Sequence, residues 1–177
     1  EYWVKVTAYD LTQSVADSFF YFVRPQVTVE ALPQGIEPGI NYLDDTRVTL
    51  ALYAPNKNHV FEIGDFYDWV SGYSNYMKRT PDGSTWWIEL TGLTPGKEYI
   101  YQYLVDDSLR IGDPYADKVL DPWNDPWIDN ETYPDLIDYP DDKTSGIATV
   151  FQTAQQAYNW SNNSFVAPDV QDLVVYE

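Results

Sequence analysis

The chain has 177 residues, with 28 acidic and 10 basic side chains and a net charge of −18. Nucleic-acid phosphates and anionic lipid headgroups are bound by clustered Lys and Arg, so this balance argues against both as partners. A neutral ligand such as a sugar feels little of this field. The lack of cysteine excludes disulfide frameworks, thiol catalysis and thiolate metal sites. No apolar run approaches the length of about 18 residues that indicates a transmembrane helix, so we expect no membrane insertion.

The first element that the sequence predicts is a β-hairpin. Apolar residues alternate along residues 1–10, and an aromatic run follows at residues 18–23. An Arg-Pro pair then ends the pattern. We interpret residues 1–26 as the remnant hairpin of a preceding β-domain, or as a linker.

Short strands then recur at close spacing. Alternation predicts strands at 46–53, 60–63, 85–90 and 98–105, separated by Pro-, Gly- and Asn-containing turns. Aromatic residues make up 17% of the chain, which suits an aromatic β-core and equally a surface for flat ligands. Together these features predict an all-β fold with a β-sandwich formed by residues 27–111.

The composition changes after Gly112. Residues 112–146 carry five of the 12 prolines, together with several large aromatic residues. Such aromatic content is too apolar for a solvated tether, so we predict a long ordered C-terminal extension over residues 112–168. Tyr115, Trp123 and Trp127 are the predicted aromatic anchors that dock it, and a further strand is expected at residues 147–152.

The region from Val48 to Pro114 resembles a known module. The matching features are VTLALYAP at 48–55, GDFYDW at 64–69, YMKR at 76–79, the strands 86–90 and 99–105, and GDPYA at 112–116. In this order they resemble the family 48 carbohydrate-binding module, which precedes the catalytic barrel in the α-amylase family of glycoside hydrolases (family 13). The resemblance implies an immunoglobulin-like fold and a role in an enzyme that acts on α-glucans.

The resemblance extends to the end of the chain. Residues 169–177 are similar to the approach to the first strand of that family's (β/α)₈ catalytic barrel. The resemblance implies that the two catalytic carboxylates lie in that barrel, so we expect no catalytic residue and no enzymatic activity in this chain. The barrel of a larger hydrolase is the expected partner.

The resemblance also supplies candidate sugar-binding residues. In members that bind glucan, the Trp that ends the GDFYDW motif stacks on a glucose ring, and that position is Trp69. A second Trp is expected after the Val105-Asp106 turn and is absent, while Gln102 stands where the family has a Lys. The candidate carbohydrate-binding residues are therefore Trp69 and Gln102, with Tyr73, Tyr76 and Lys78 nearby.

The chain's acidic residues do not predict a metal site. Six Asp between residues 106 and 125 carry oxygen ligands of the kind calcium prefers, but their spacing follows no regular loop and favours solvated charge. His59, the sole histidine, has no Cys or His companion for zinc. We predict no metal and no cofactor for this chain; calcium is left open for the parent enzyme.

Three functions remain open at this point. We favour a non-catalytic N-terminal accessory module that packs on the catalytic barrel of an α-amylase-type enzyme and contacts glucan weakly. The alternatives are a true α-glucan-binding module centred on Trp69 and a protein-interaction sandwich. The expected location is extracellular, periplasmic or on a bacterial cell surface.

Overall fold

The structure is a computed structural model that describes residues 2–21, 23–161 and 164–174. These ranges contain β-strands and two single-turn 3₁₀ helices (Asp125–Trp127 and Val170–Asp172) but no α-helix, which confirms the all-β prediction. No helix in the described ranges has the length and apolarity needed to span a bilayer. The strands are β1 (Tyr2–Tyr9), β2 (Ser14–Tyr21), β3 (Gly39–Asp44), β4 (Arg47–Tyr53), β5 (Val60–Gly64), β6 (Lys78–Arg79), β7 (Thr85–Thr91), β8 (Glu98–Val105), β9 (Leu109–Ile111), β10 (Lys118–Leu120) and β11 (Ala148–Gln152).

The N-terminal hairpin is formed by β1 and β2. The strands pair antiparallel from Tyr2 opposite Tyr21 to Tyr9 opposite Ser14. Their turn is closed by the Asp10 carboxylate, which accepts hydrogen bonds from the N–H groups of residues 12 and 13 at 2.7 and 2.6 Å. This Asx-type turn occupies residues 10–13 and is shorter than the loop that the sequence predicted.

The central module is a sandwich of two antiparallel sheets. One sheet has the order β10-β11-β8-β5, with β9 also paired to β8, and the other has the order β3-β4-β7-β6. The apolar core between the sheets contains Tyr99, Tyr101 and Tyr103 from β8 together with Leu50 and Trp86. Alternation along β8 therefore directs its three tyrosines to one face, the core face.

A second apolar cluster lies on the opposite face of the first sheet. This outer cluster consists of seven buried residues with five partly buried ones packed against them. Because three of the latter come from the C-terminal extension, the extension is ordered by contact with the sheet, in agreement with the prediction. The members are Phe61, Ile63, Trp69, Ile100, Leu120, Ala148 and Val150, with Tyr76, Leu104, Leu136, Ile137 and Tyr139 packed on them.

Asp113 fastens the start of the extension to the sandwich. It is buried, and its Oδ2 accepts hydrogen bonds from the hydroxyls of Tyr101 (2.9 Å) and Tyr103 (2.8 Å). Its N–H donates to the Thr149 hydroxyl at 2.6 Å. Burial is the main cause that raises the pKa of both tyrosines, so they stay protonated donors. The Asp of the GDPYA motif is thus a structural acid.

Trp86 and Trp87 lie on opposite faces of β7, and both are buried. Trp86 is in the sandwich core, as expected from its register with Ile88 and Leu90. The Trp87 indole N–H donates to the Glu30 carbonyl at 3.2 Å, and the Lys78 ammonium lies 4.3 Å from the centre of its ring. The outer face of β7 is therefore covered by the segment before β3.

The end of the chain has little regular structure. A turn at residues 153–154 leads into residues 155–160, which are irregular. Leu173 and Val174 are exposed and belong to no strand. The remainder of the predicted terminal strand, residues 175–177, lies outside the described residues.

Candidate functional site

The loop after β5 carries the GDFYDW motif and is held by backbone hydrogen bonds. The Gly64 carbonyl accepts from the Trp69 N–H at 3.1 Å. Asp65 exchanges two hydrogen bonds with Ile100 of β8, one through its N–H (3.0 Å) and one through its carboxylate (2.9 Å). Asp68 and Trp69 have φ values of 49° and 62°, in the left-handed region that reverses the chain sharply. A Cβ on Gly64 would lie 2.4 Å from the Ile100 carbonyl oxygen, so this close approach requires glycine.

This loop directs Trp69 inward. The Trp69 side chain is 8% exposed and belongs to the outer cluster, on which residues 136–139 of the extension pack. The Lys143 ammonium lies 2.7 Å from the Asp68 carboxylate and joins the extension to the same loop. In this arrangement the face of Trp69 is packed against protein, and a sugar ring has no access to it.

The side chain of Gln102 is also hydrogen bonded to the extension. Its side chain is fully buried, and its Nε2 donates to the carbonyls of Ser145 (3.0 Å) and Ile147 (2.7 Å). Its Oε1 accepts from the Thr144 hydroxyl at 2.5 Å. Both ends of the amide are therefore hydrogen bonded to residues 144–147. Gln102 and Trp69 therefore each lie beneath the extension.

Of the other three candidate residues, Tyr76 and Lys78 are partly buried and Tyr73 is exposed. Tyr76 stacks on Phe61 with ring centres 4.8 Å apart, and burial raises its pKa. Lys78 lies on β6, in the other sheet, where its ammonium pairs with the Glu30 carboxylate at 2.8 Å. Tyr73 is 48% exposed on the loop after β5. The structure therefore does not gather the five candidate residues into one open site.

The predicted docking aromatics need correction. Trp123 and Trp127 are 64% and 86% exposed, and the 3₁₀ turn that carries Trp127 has no buried residue. Tyr115 is also exposed, although its Cβ lies against the backbone of Gly39. Pro-rich turns hold these rings away from the sheet, so the extension docks instead through its smaller apolar residues, of which Leu120 is fully buried.

An open aromatic depression lies beside the GDFYDW loop. It has a volume of about 340 Å³ and lies between β1 of the hairpin and residues 67–75. Trp3, which the sequence did not single out, and Tyr67 supply aromatic walls together with Tyr73. The Tyr73 hydroxyl donates to the Val23 carbonyl at 3.0 Å and links the hairpin to the loop. We call this feature the hairpin–loop depression. Its lining residues are Trp3, Tyr67, Asp68, Val70, Ser71, Gly72, Tyr73, Ser74 and Asn75.

The carboxyl group of Glu62 has a strongly raised pKa, but it is not in an open site. Glu62 is fully buried on the core face of β5, and burial with the nearby Asp65 charge raises its pKa to about 8. It has no access to a substrate. Within the described part of the chain, no group of three or more His, Cys, Asp or Glu side chains is arranged to hold a metal ion.

These features define a class of protein. The chain is an antiparallel immunoglobulin-like sandwich with a structural polar network, a shallow aromatic depression and an extension that covers the outer sheet face. Residues 37–124 match the family model of carbohydrate-binding module 48 (isoamylase N-terminal domain). Residues 37–124 are thus similar to that module, which confirms the resemblance, and modules of this type are non-catalytic.

Sequence relatives of this chain include 1,4-alpha-glucan branching enzymes (GlgB) from three bacteria. The protein from Mesorhizobium japonicum is 33% identical over 76 residues, which cover 41% of this chain and 10% of the relative. The protein from Synechococcus sp. is 36% identical over 71 residues, which cover 39% of this chain and 9% of the relative. The protein from Rhodospirillum rubrum is 39% identical over 69 residues, which cover 37% of this chain and 9% of the relative. The chain thus matches about a tenth of the length of these curated relatives.

Solved structures that give partial matches to this chain include a putative alpha amylase from Salmonella typhimurium and the Klebsiella pneumoniae pullulanase complexed with maltotriose. The amylase is 22% identical with a TM-score of 0.36, and the match covers 45% of this chain and 12% of the amylase chain. The pullulanase is 24% identical with a TM-score of 0.36, and the match covers 49% of this chain and 9% of the pullulanase chain.

Proposed function

We propose that this chain is a non-catalytic accessory region of an enzyme of the α-amylase type that acts on α-glucans, where it packs on the catalytic barrel and contacts glucan weakly. The observation that carries the proposal is the match of residues 37–124 to carbohydrate-binding module 48. The relatives named as 1,4-alpha-glucan branching enzymes support the substrate class. The small fraction of each relative that is matched supports an accessory role.

Weak contact, in place of tight binding, is supported by the placement of Trp69 and Gln102. Both residues are buried beneath the extension, and the nitrogen and the oxygen of the Gln102 amide are already hydrogen bonded to it. A glucan that used them would have to displace residues 136–147 first. The free energy of that displacement would be subtracted from the affinity.

Packing on a barrel is supported by the exposed aromatic surface of the extension. Trp123 and Trp127 project into solvent from the segment 121–128. Large exposed aromatic rings are enriched at protein interfaces, since each buries a large area when it is covered. We expect this segment to contact the catalytic part of the enzyme.

Affinity electrophoresis of the whole chain tests the proposal. In native gels that contain glycogen or amylopectin we expect a modest retardation that added maltoheptaose reverses. A reducing-sugar assay on the same polymers is expected to show no turnover. Failure of both polymers to retard the chain would overturn the glucan assignment, and measurable hydrolysis would overturn the non-catalytic one.

A further inference from the structure

The hairpin–loop depression has the size and chemistry of a small-ligand site. Its volume of about 340 Å³ falls within the range of roughly 300–1,000 Å³ that is typical of ligand pockets. Its lining combines three aromatic side chains with carboxylate, hydroxyl and amide groups from residues 68, 71, 74 and 75. None of these residues is a Lys or Arg.

The aromatic walls are accessible to a ligand. Trp3 is 71% exposed and Tyr73 is 48% exposed, so each presents ring surface to solvent, and Tyr67 is partly buried beside them. A flat ring matches the apolar C–H face of a pyranose, and rigid aromatic residues lose little side-chain entropy on contact. The walls therefore suit a ligand with flat apolar faces.

The polar groups define the rest of the ligand. Asp68 is an exposed carboxylate whose charge is paired with the Lys143 ammonium, and the chain as a whole carries a net charge of −18, so an anionic ligand is disfavoured. Carboxylate and hydroxyl groups accept and donate hydrogen bonds at the distances a sugar hydroxyl offers. The combination of rings and hydrogen-bonding groups, with no Lys or Arg in the lining and the nearby Lys143 ammonium already paired with Asp68, favours a neutral saccharide.

The loop that forms the depression is already ordered. Asn75 is buried, its Oδ1 accepts from the Gly72 N–H at 2.7 Å, and its Nδ2 donates to the Val70 carbonyl at 2.8 Å. The Tyr73 hydroxyl joins this loop to Val23 beside the hairpin. Binding here would require little further ordering of the loop, which favours affinity.

We propose that the hairpin–loop depression binds one or two glucose units of an α-glucan chain, with the rings of Trp3 and Tyr73 against the sugar faces. The choice of α-glucan over other neutral saccharides rests on the proposed function. The site uses the N-terminal hairpin and leaves Trp69 beneath the extension.

Titration calorimetry with maltoheptaose on the full chain tests this site. We expect Trp3→Ala to weaken binding about fivefold to tenfold, the range for loss of one aromatic contact, and Trp3→Phe to retain most of the affinity. Tyr73→Ala is expected to weaken binding similarly. Trp127→Ala, which removes an even more exposed indole outside the depression, is the matched control and should bind like the parent chain. Circular dichroism checks that each variant is folded.

The outcomes separate this site from the proposed function. Unchanged affinity in folded Trp3→Ala and Tyr73→Ala, with glycogen retardation intact, overturns the site and leaves the proposed function standing. Binding of cellohexaose in place of maltoheptaose, lost in Trp3→Ala, retains the saccharide site and overturns the α-glucan assignment. A loss confined to Trp127→Ala would move the site to the extension. No binding of either oligosaccharide to the parent chain overturns the depression as a saccharide site.

Discussion

Glu62 is a carboxylic acid held between the two sheets of the sandwich. Alternation along β5 places it on the same face as Val60, while Phe61 and Ile63 face the outer cluster. Neither of its carboxyl oxygens has a hydrogen-bond partner among the described residues. Because a bare carboxylate is poorly solvated there, burial raises its pKa from 4.5 to about 8, and the nearby Asp65 adds to the shift.

The raised pKa of Glu62 predicts a stability that falls with pH. Above its ordinary pKa of 4.5 the unfolded chain releases this proton, whereas the folded chain keeps it until about pH 8. The free energy of unfolding should therefore decrease between those values, by up to about 1.4 kcal/mol per pH unit, and level off above them. Urea unfolding at pH 5, 7 and 9 measures the slope.

Two variants isolate the Glu62 contribution. Glu62→Gln cannot ionise, so its stability should decline less between pH 5 and pH 9 than that of the parent chain. Glu89→Gln, at an exposed position on β7, should keep the parent slope. Parallel pH curves for Glu62→Gln and the parent chain would show that Glu62 does not hold a proton in the fold.

For single residues, the sequence predicts which face of a strand a side chain lies on. It does not predict which other residues pack over that side chain. The alternation of β8 places Tyr99 and Tyr101 in the core, and the period of two places Gln102 opposite them. Side-chain direction is a local property of the backbone, so it can be read from the pattern. The covering of Trp69 depends on residues 136–139, far along the chain, and no local pattern encodes that contact.

For the C-terminal extension, the sequence predicts an ordered segment but identifies the wrong anchor residues. Its composition is too aromatic for a free tether, and it does pack on the outer sheet face. The largest rings, Trp123 and Trp127, are nevertheless exposed. Hydrophobicity identifies residues that benefit from burial, but the Pro-rich turn geometry decides which of them reach the sheet.

Gln102 is predicted to be the main polar attachment of the extension. In Gln102→Leu the carbonyls of Ser145 and Ile147 lose their donor. The two bonds are part-buried, and an unsatisfied carbonyl in a fully buried site costs about 1–3 kcal/mol, so residues 139–147 should exchange amide hydrogens faster, and stability should fall by no more than that amount. Hydrogen exchange measured by mass spectrometry resolves this segment.

Lys143→Ala is the control for this element. It removes the exposed ion pair with Asp68, a contact of a kind worth about 0–1 kcal/mol. Exchange in residues 139–147 should therefore change little. If Lys143→Ala releases the segment as fully as Gln102→Leu does, the exposed ion pair holds the extension, and the buried amide does not.

At the scale of the whole molecule, the N-terminal hairpin depends on the sandwich. A two-stranded hairpin alone is marginally stable in water. Here the Arg24 guanidinium joins the end of the hairpin to the sandwich through the Asp107 carboxylate at 2.6 Å and the His59 ring at 3.1 Å. The bond from Tyr73 to Val23 adds a second attachment. The sequence predicted the hairpin from local alternation, but these long-range attachments lie outside any local pattern.

Arg24→Gln is predicted to loosen the hairpin without unfolding the sandwich. The substitution removes the charge-assisted pair with Asp107, so amide exchange in residues 2–21 should accelerate while exchange in β4, β7 and β8 is unchanged. Because Trp3 forms one wall of the hairpin–loop depression, maltoheptaose affinity should fall with hairpin order. Arg47→Gln removes a comparable exposed pair with Asp44 on the other sheet and should alter neither quantity. Faster hairpin exchange with unchanged affinity would separate hairpin order from binding and show that Trp3 is not part of the site.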